Sequence, residues 1–116
     1  MKHALLLVLA AATLFAADAT GKWSGTLSDD NPGPALLILK QEGTALTGTA
    51  GPNANERHDI QNGKADNGKI SFEVPVGDGG VLKFVLVQDG DQIKGQVTGE
   101  RRGQVQTATL AVKREK

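Results

Sequence analysis

The chain has 116 residues, 13 basic and 13 acidic side chains, one tryptophan, no tyrosine and no cysteine. A neutral balance gives no general attraction to nucleic acid or to acidic membrane surfaces. The missing cysteines exclude disulfides, thiol catalysis and thiolate metal sites, and the length is that of a single domain.

Met1-Lys2-His3 is a positive start, followed by an unbroken apolar run from Ala4 to Ala12 that Leu14 and Phe15 extend. Ala17-Asp18-Ala19 then offers small residues at the two positions a signal peptidase reads. Residues 1–19 are therefore expected to be a cleavable signal peptide, with the cut after Ala19 and one domain over 20–116. The alternative is a buried first helix. The apolar run falls short of the roughly 20 residues that a membrane span needs. No cysteine follows it to carry a lipid anchor, so the product is expected to be exported, periplasmic or secreted. Its stability must then come from an aliphatic core and backbone ladders alone.

Nothing beyond Ala19 shows a helical period, and glycine recurs throughout, each interior one costing a helix about 1 kcal/mol relative to alanine. Two-residue alternation between turn signals predicts eight strands instead. The first runs from Gly21 to Ser28, with Trp23, Gly25 and Leu27 on one face, and Asp29 to Pro34 breaks it. Ala35 to Gln41 is almost wholly apolar, and Glu42-Gly43-Thr44 turns it into Ala45 to Ala50. A loop over Gly51 to Asn55 leads to a weaker segment from Arg57 to Lys64. Asn67-Gly68 is the strongest hairpin signal, because a type I′ turn needs positive φ at both central residues. Lys69 to Val76 follows, then Val81 to Gln88, Gln92 to Gly99 and Gln104 to Arg114, separated by short glycine-bearing turns. Gly43 to Thr49 and Gly90 to Gln96 share the spacing of turn glycine, apolar residue and strand glycine. A strand glycine marks a sharp bend or a close backbone approach.

Short strands joined by tight turns predict an all-β fold, an up-and-down antiparallel barrel of about eight strands, with a β-sandwich as the alternative. The barrel is favoured because every connection is hairpin-short and no segment is long enough for a Greek-key crossover. Closure also removes exposed strand edges. A membrane barrel does not fit, since Thr47, Thr49, Ser71, Glu73, Lys94, Gln96 and Thr109 would make its outer face polar.

Gly21-Lys22-Trp23 opening the first strand, with Leu46-Thr47-Gly48-Thr49 in the third, resembles the calycin group of barrels, the avidins and lipocalins. In that group a basic residue of the last strand packs across the tryptophan and closes one end. The resemblance implies that role for Arg114, which shares the parity of Leu110 and Val112. It does not carry biotin binding, because the several tryptophans and the tyrosine of the avidin site are missing. The chain also resembles small uncharacterised β-rich modules of exported bacterial proteins, which implies location and fold only.

Asn55-Glu56-Arg57-His58-Asp59 is the one cluster of reactive side chains. A base or metal site at His58, helped by Glu56 or Asp59, competes with the plainer reading of a polar strand boundary. On a strand Glu56 and His58 converge, whereas Asp59 diverges. Ser24, Ser28 and Ser71 lack a nucleophile-elbow context. Asp29-Asp30-Asn31 and Asp89-Gly90-Asp91 lack calcium-loop spacing and read as turns. Arg101-Arg102 reads as a solvated basic turn beside Glu100. The expectation is a non-enzymatic binding module without metal or cofactor, for a small apolar ligand or a protein partner. Any pocket would lie in the barrel interior, among Trp23, Leu46, Phe72, Phe84 and Leu110. A protein-interaction or inhibitor domain is the alternative, and a small hydrolase around His58 a remote one. Ala35 to Leu39 and Val81 to Val87 are apolar on both faces, so Val85 and Val87 are expected on the outside as a surface for a homo-oligomer.

Overall fold

The computed structural model describes residues 18–29, 32–77, 79–101 and 103–115, with the backbone alone at Arg101. The expected signal peptide lies outside these residues except for Asp18 and Ala19. The described residues form nine strands and no helix: β1 (Gly21–Ser28), β2 (Gly33–Glu42), β3 (Ala45–Asn53), β4 (Glu56–Asp59), β5 (Gln61–Asp66), β6 (Lys69–Val76), β7 (Gly80–Asp89), β8 (Gln92–Arg101) and β9 (Gln104–Arg114). Consequently, no described helix is long and apolar enough to cross a membrane.

All pairings are antiparallel. The sheet runs β2-β1-β9-β8-β7-β6-β5-β3, and a further β2–β3 ladder closes it into an eight-strand barrel. β4 is the additional strand, paired to β3. The sandwich alternative is thus excluded. The alternation read from the sequence points the aliphatic side chains inward, where Leu37, Leu39, Leu46, Ile70, Phe72, Val74, Leu86, Ile93, Leu110 and Val112 are buried together. Phe72 faces Phe84 across the β6–β7 ladder, and their rings stack with centroids 4.4 Å apart.

The Asn67-Gly68 turn has φ of 52° and 81°, the positive pair that a type I′ hairpin requires. Gly48 marks the close approach expected of a strand glycine. Its φ is 139°, and a Cβ there would stand 1.9 Å from the Ile38 carbonyl oxygen on β2.

One predicted element differs. The segment expected as a single strand over Arg57 to Lys64 is broken at Ile60 into β4 and β5. β4 stays on β3, pairing Ala50 with His58 and Thr49 with Asp59. β5 joins β6 through Lys64–Ser71, Ala65–Ile70 and Asp66–Lys69. A register shift between Gln61 and Lys64, with Asn62 at a φ of 54°, makes the kink between them. Both halves stay on β3, β5 through Ala45–Lys64 and Leu46–Gly63, and only β5 gains β6 as a second neighbour; a run without apolar alternation does little to hold the register across that change.

Candidate functional site

The two ends of the barrel are built differently. The turns after β2, β5 and β7 and the start of β1 lie at one end, where residues 18–20 fold inward. Ala19 and Trp23 are both 0% exposed there. The Trp23 indole Nε1 donates to the Ala19 carbonyl at 3.0 Å, and the Ala19 amide donates to Gln41 Oε1 at 2.9 Å. Arg114 lies across the indole, its Cζ 4.3 Å from the ring centroid. Its Nη2 donates to the Asp18 carbonyl at 3.0 Å, its Nη1 to the Thr20 carbonyl, and its Nε to Asp91 Oδ1 at 3.0 Å. Gln88 adds a bond from Nε2 to the Asp18 carbonyl at 2.9 Å. Asp91 is therefore occupied in holding Arg114, which fits a turn rather than a calcium loop. The Thr20 amide donates to the Asp18 carboxylate at 2.8 Å, and the Thr20 bonds with Arg114 nearby hold that carboxyl below its ordinary value.

Gln41 and Gln88 carry no chemistry in the sequence reading, yet both complete this end. The available signal is their parity. Gln41 continues the inward row of Leu37 and Leu39, and Gln88 that of Phe84 and Leu86. A polar residue in an inward register calls for hydrogen-bond partners; Ala19 and Gly43 supply them for Gln41, and Asp18 and Gly90 for Gln88 Nε2, while the buried Gln88 Oε1 has none among the described residues.

The opposite end is open. There Leu27, Ala35, Leu37, Ala50, Val74, Val76, Leu82, Phe84 and Leu110 enclose a cavity of about 220 Å³, with Pro34, Gly51, Pro52 and His58 completing its wall. Of the interior positions expected to line a pocket, Phe84 and Leu110 border this space, whereas Trp23, Leu46 and Phe72 are packed in the core. His58 is the one titratable side chain on the wall. It stands on β4 opposite Ala50 and is itself exposed. Beyond Leu27 and Leu82 the mouth widens among Asp29, Gln106 and Thr107, so the cavity has an apolar floor and a polar outer rim.

The wall is incomplete beside His58. β5 leaves its ladder with β6 at the Gln61–Glu73 pair, while the chain continues along β3 into β4. Among the described residues Val74, Pro75 and Val76 therefore pair only with β7. Pro75 suits this edge because it has no N–H to place in a second ladder. A lateral seam results between His58 on one side and Val74 and Val76 on the other, all three of which line the cavity.

The other candidates do not assemble around His58. Glu56 accepts a bond from Asn53 Nδ2 at 3.3 Å within the β3–β4 hairpin. Asp59 takes the opposite parity, as do Ser24, Ser28 and Ser71 relative to the inward rows of their strands. Among the described residues no group of three His, Asp or Glu side chains gathers to hold a metal ion. Asp30, Asn31 and Arg102 lie outside the described residues, as does the Arg101 side chain. On the outside of β7, Val85 and Val87 are 68% and 58% exposed. No known protein family matches this chain, and neither does any curated protein or solved structure.

Proposed function

We propose that this chain is an exported, non-enzymatic binding module that takes a small apolar or amphiphilic molecule into the open end of its barrel. The observation that carries the reading is the 220 Å³ apolar cavity that opens beside His58. At about 30 Å³ per molecule that is room for about seven waters, yet the floor offers them almost no polar partners. A dry apolar space gains by taking an apolar chain or ring. His58 at the mouth then provides a hydrogen bond for the ligand's polar end. The arrangement of one plugged and one open end accords with the calycin resemblance.

The probe is 1-octanol, with about nine non-hydrogen atoms. At about 0.6 kcal/mol per atom it binds with a dissociation constant of about 0.1 mM. Ligand at ten times that concentration stabilises by about 1.4 kcal/mol, which raises Tm by about 5–10 °C. A Tm unmoved by millimolar 1-octanol and by saturating benzene would sink the reading. A second reading, association through the outer face of β7, is favoured by the exposure of Val85 and Val87. Sedimentation that stays strictly monomeric at high concentration counts against it.

A further inference from the structure

We infer that Asp18 and Ala19 belong to the folded domain, so that any cut maturing the chain falls before Asp18 and not after Ala19. This goes beyond the binding reading and rests on a different end of the barrel. A cut between Ala19 and Thr20 would remove two carbonyl acceptors and a donor from the plugged end. The Asp18 carbonyl accepts from both Gln88 Nε2 and Arg114 Nη2, at 2.9 and 3.0 Å. The Ala19 carbonyl accepts from the fully buried Trp23 indole at 3.0 Å, and the Ala19 amide satisfies Gln41 at 2.9 Å. Without them a buried indole N–H has lost its partner, which native interiors avoid. The space filled by the Ala19 side chain would be left empty as well.

The new terminus would also be electrostatically misplaced. Cutting there puts an ammonium group on Thr20, whose carbonyl is bonded by the Arg114 guanidinium. Two cations would then meet where one now pairs with backbone oxygens. A cut immediately ahead of Asp18 puts Ala17 and Phe15 at the two positions a signal peptidase reads, so only one of them is small there and the case for the earlier cut rests on the packing of residues 18 and 19.

The test uses the full chain expressed in a bacterial host, purified separately from the periplasm and the cytoplasm. Intact mass and N-terminal sequencing are read for the wild type and for Asp18→Lys. The expected product begins at or before Asp18, and its mass moves by the Asp-to-Lys difference in the variant. A product beginning at Ala19 or Thr20, with a mass indifferent to Asp18→Lys, overturns the inference. Chain that retains residues 1–17 counts against export, while the mass shift in Asp18→Lys still supports retention of Asp18 and Ala19.

Discussion

Replacing Arg114 by alanine removes an indole contact, two bonds to backbone carbonyls and an ion pair in one step. The guanidinium over Trp23 contributes about 0.5–1 kcal/mol, in the lower part of the cation–π range because water still reaches the side chain. The bonds to the Thr20 and Asp18 carbonyls come from a charged donor and contribute about 1 kcal/mol apiece once solvent competition is allowed for. The pair with Asp91, whose carboxylate is largely exposed, adds about 0.5 kcal/mol. Arg114→Ala should therefore lose about 3 kcal/mol, or roughly 12–24 °C in Tm for a domain of this size. The single tryptophan sits at the site, so urea unfolding followed by Trp23 fluorescence reads the effect directly. Arg114→Lys keeps the charge but cannot span the two carbonyls and Asp91 together, and should lose about 1.5–2 kcal/mol. A loss under about 1 kcal/mol for the alanine variant, or a lysine variant as stable as the wild type, refutes this account of the plugged end.

Three further outcomes are expected. Leu82→Trp, at the half-buried mouth of the cavity, should abolish the Tm rise caused by 1-octanol while leaving the far-ultraviolet spectrum native; an undiminished rise means the ligand sits elsewhere. Gly48→Ala should lose at least about 2 kcal/mol in a thermal melt, since its Cβ meets the Ile38 carbonyl at a backbone angle that disfavours side chains. An unchanged melt would show that β2 and β3 can part at no cost. The Asp18 carboxyl is held below its ordinary 3.8 by the Thr20 bonds and by Arg114. A lowered folded-state pKa stabilises above the unfolded value and is lost as pH falls through the lowered one, below about pH 4. Asp18→Asn should flatten the stability loss in that window, and parallel curves for the two chains would contradict the assignment.

The strands and turns were legible because their causes are local. Alternation in Lys69–Val76 and Val81–Gln88 fixes which side chains point inward whatever the neighbour, and Asn67-Gly68 selects its turn by its own φ preferences. Hairpin-short connections made a meander the natural topology. The chain could not reveal the kink at Ile60, because Arg57–Lys64 is nearly all polar and nothing in it marks where pairing to β6 is lost while pairing to β3 continues. The seam and the cavity follow from that kink, so the candidate site was invisible apart from Phe84, Leu110 and the reactive look of His58. The plug shows the same division. Parity places Gln41 and Gln88 as polar residues in inward rows, though neither was singled out, and it was the calycin resemblance that implied Arg114 beside Trp23, with its parity in support. That Asp18 and Ala19 are the groups they hold was decided only by tertiary structure, since those bonds join residues 22, 70 and 96 positions apart in the chain. Local patterning determines what each strand shows to the core, whereas closure of the barrel determines what fills its two ends.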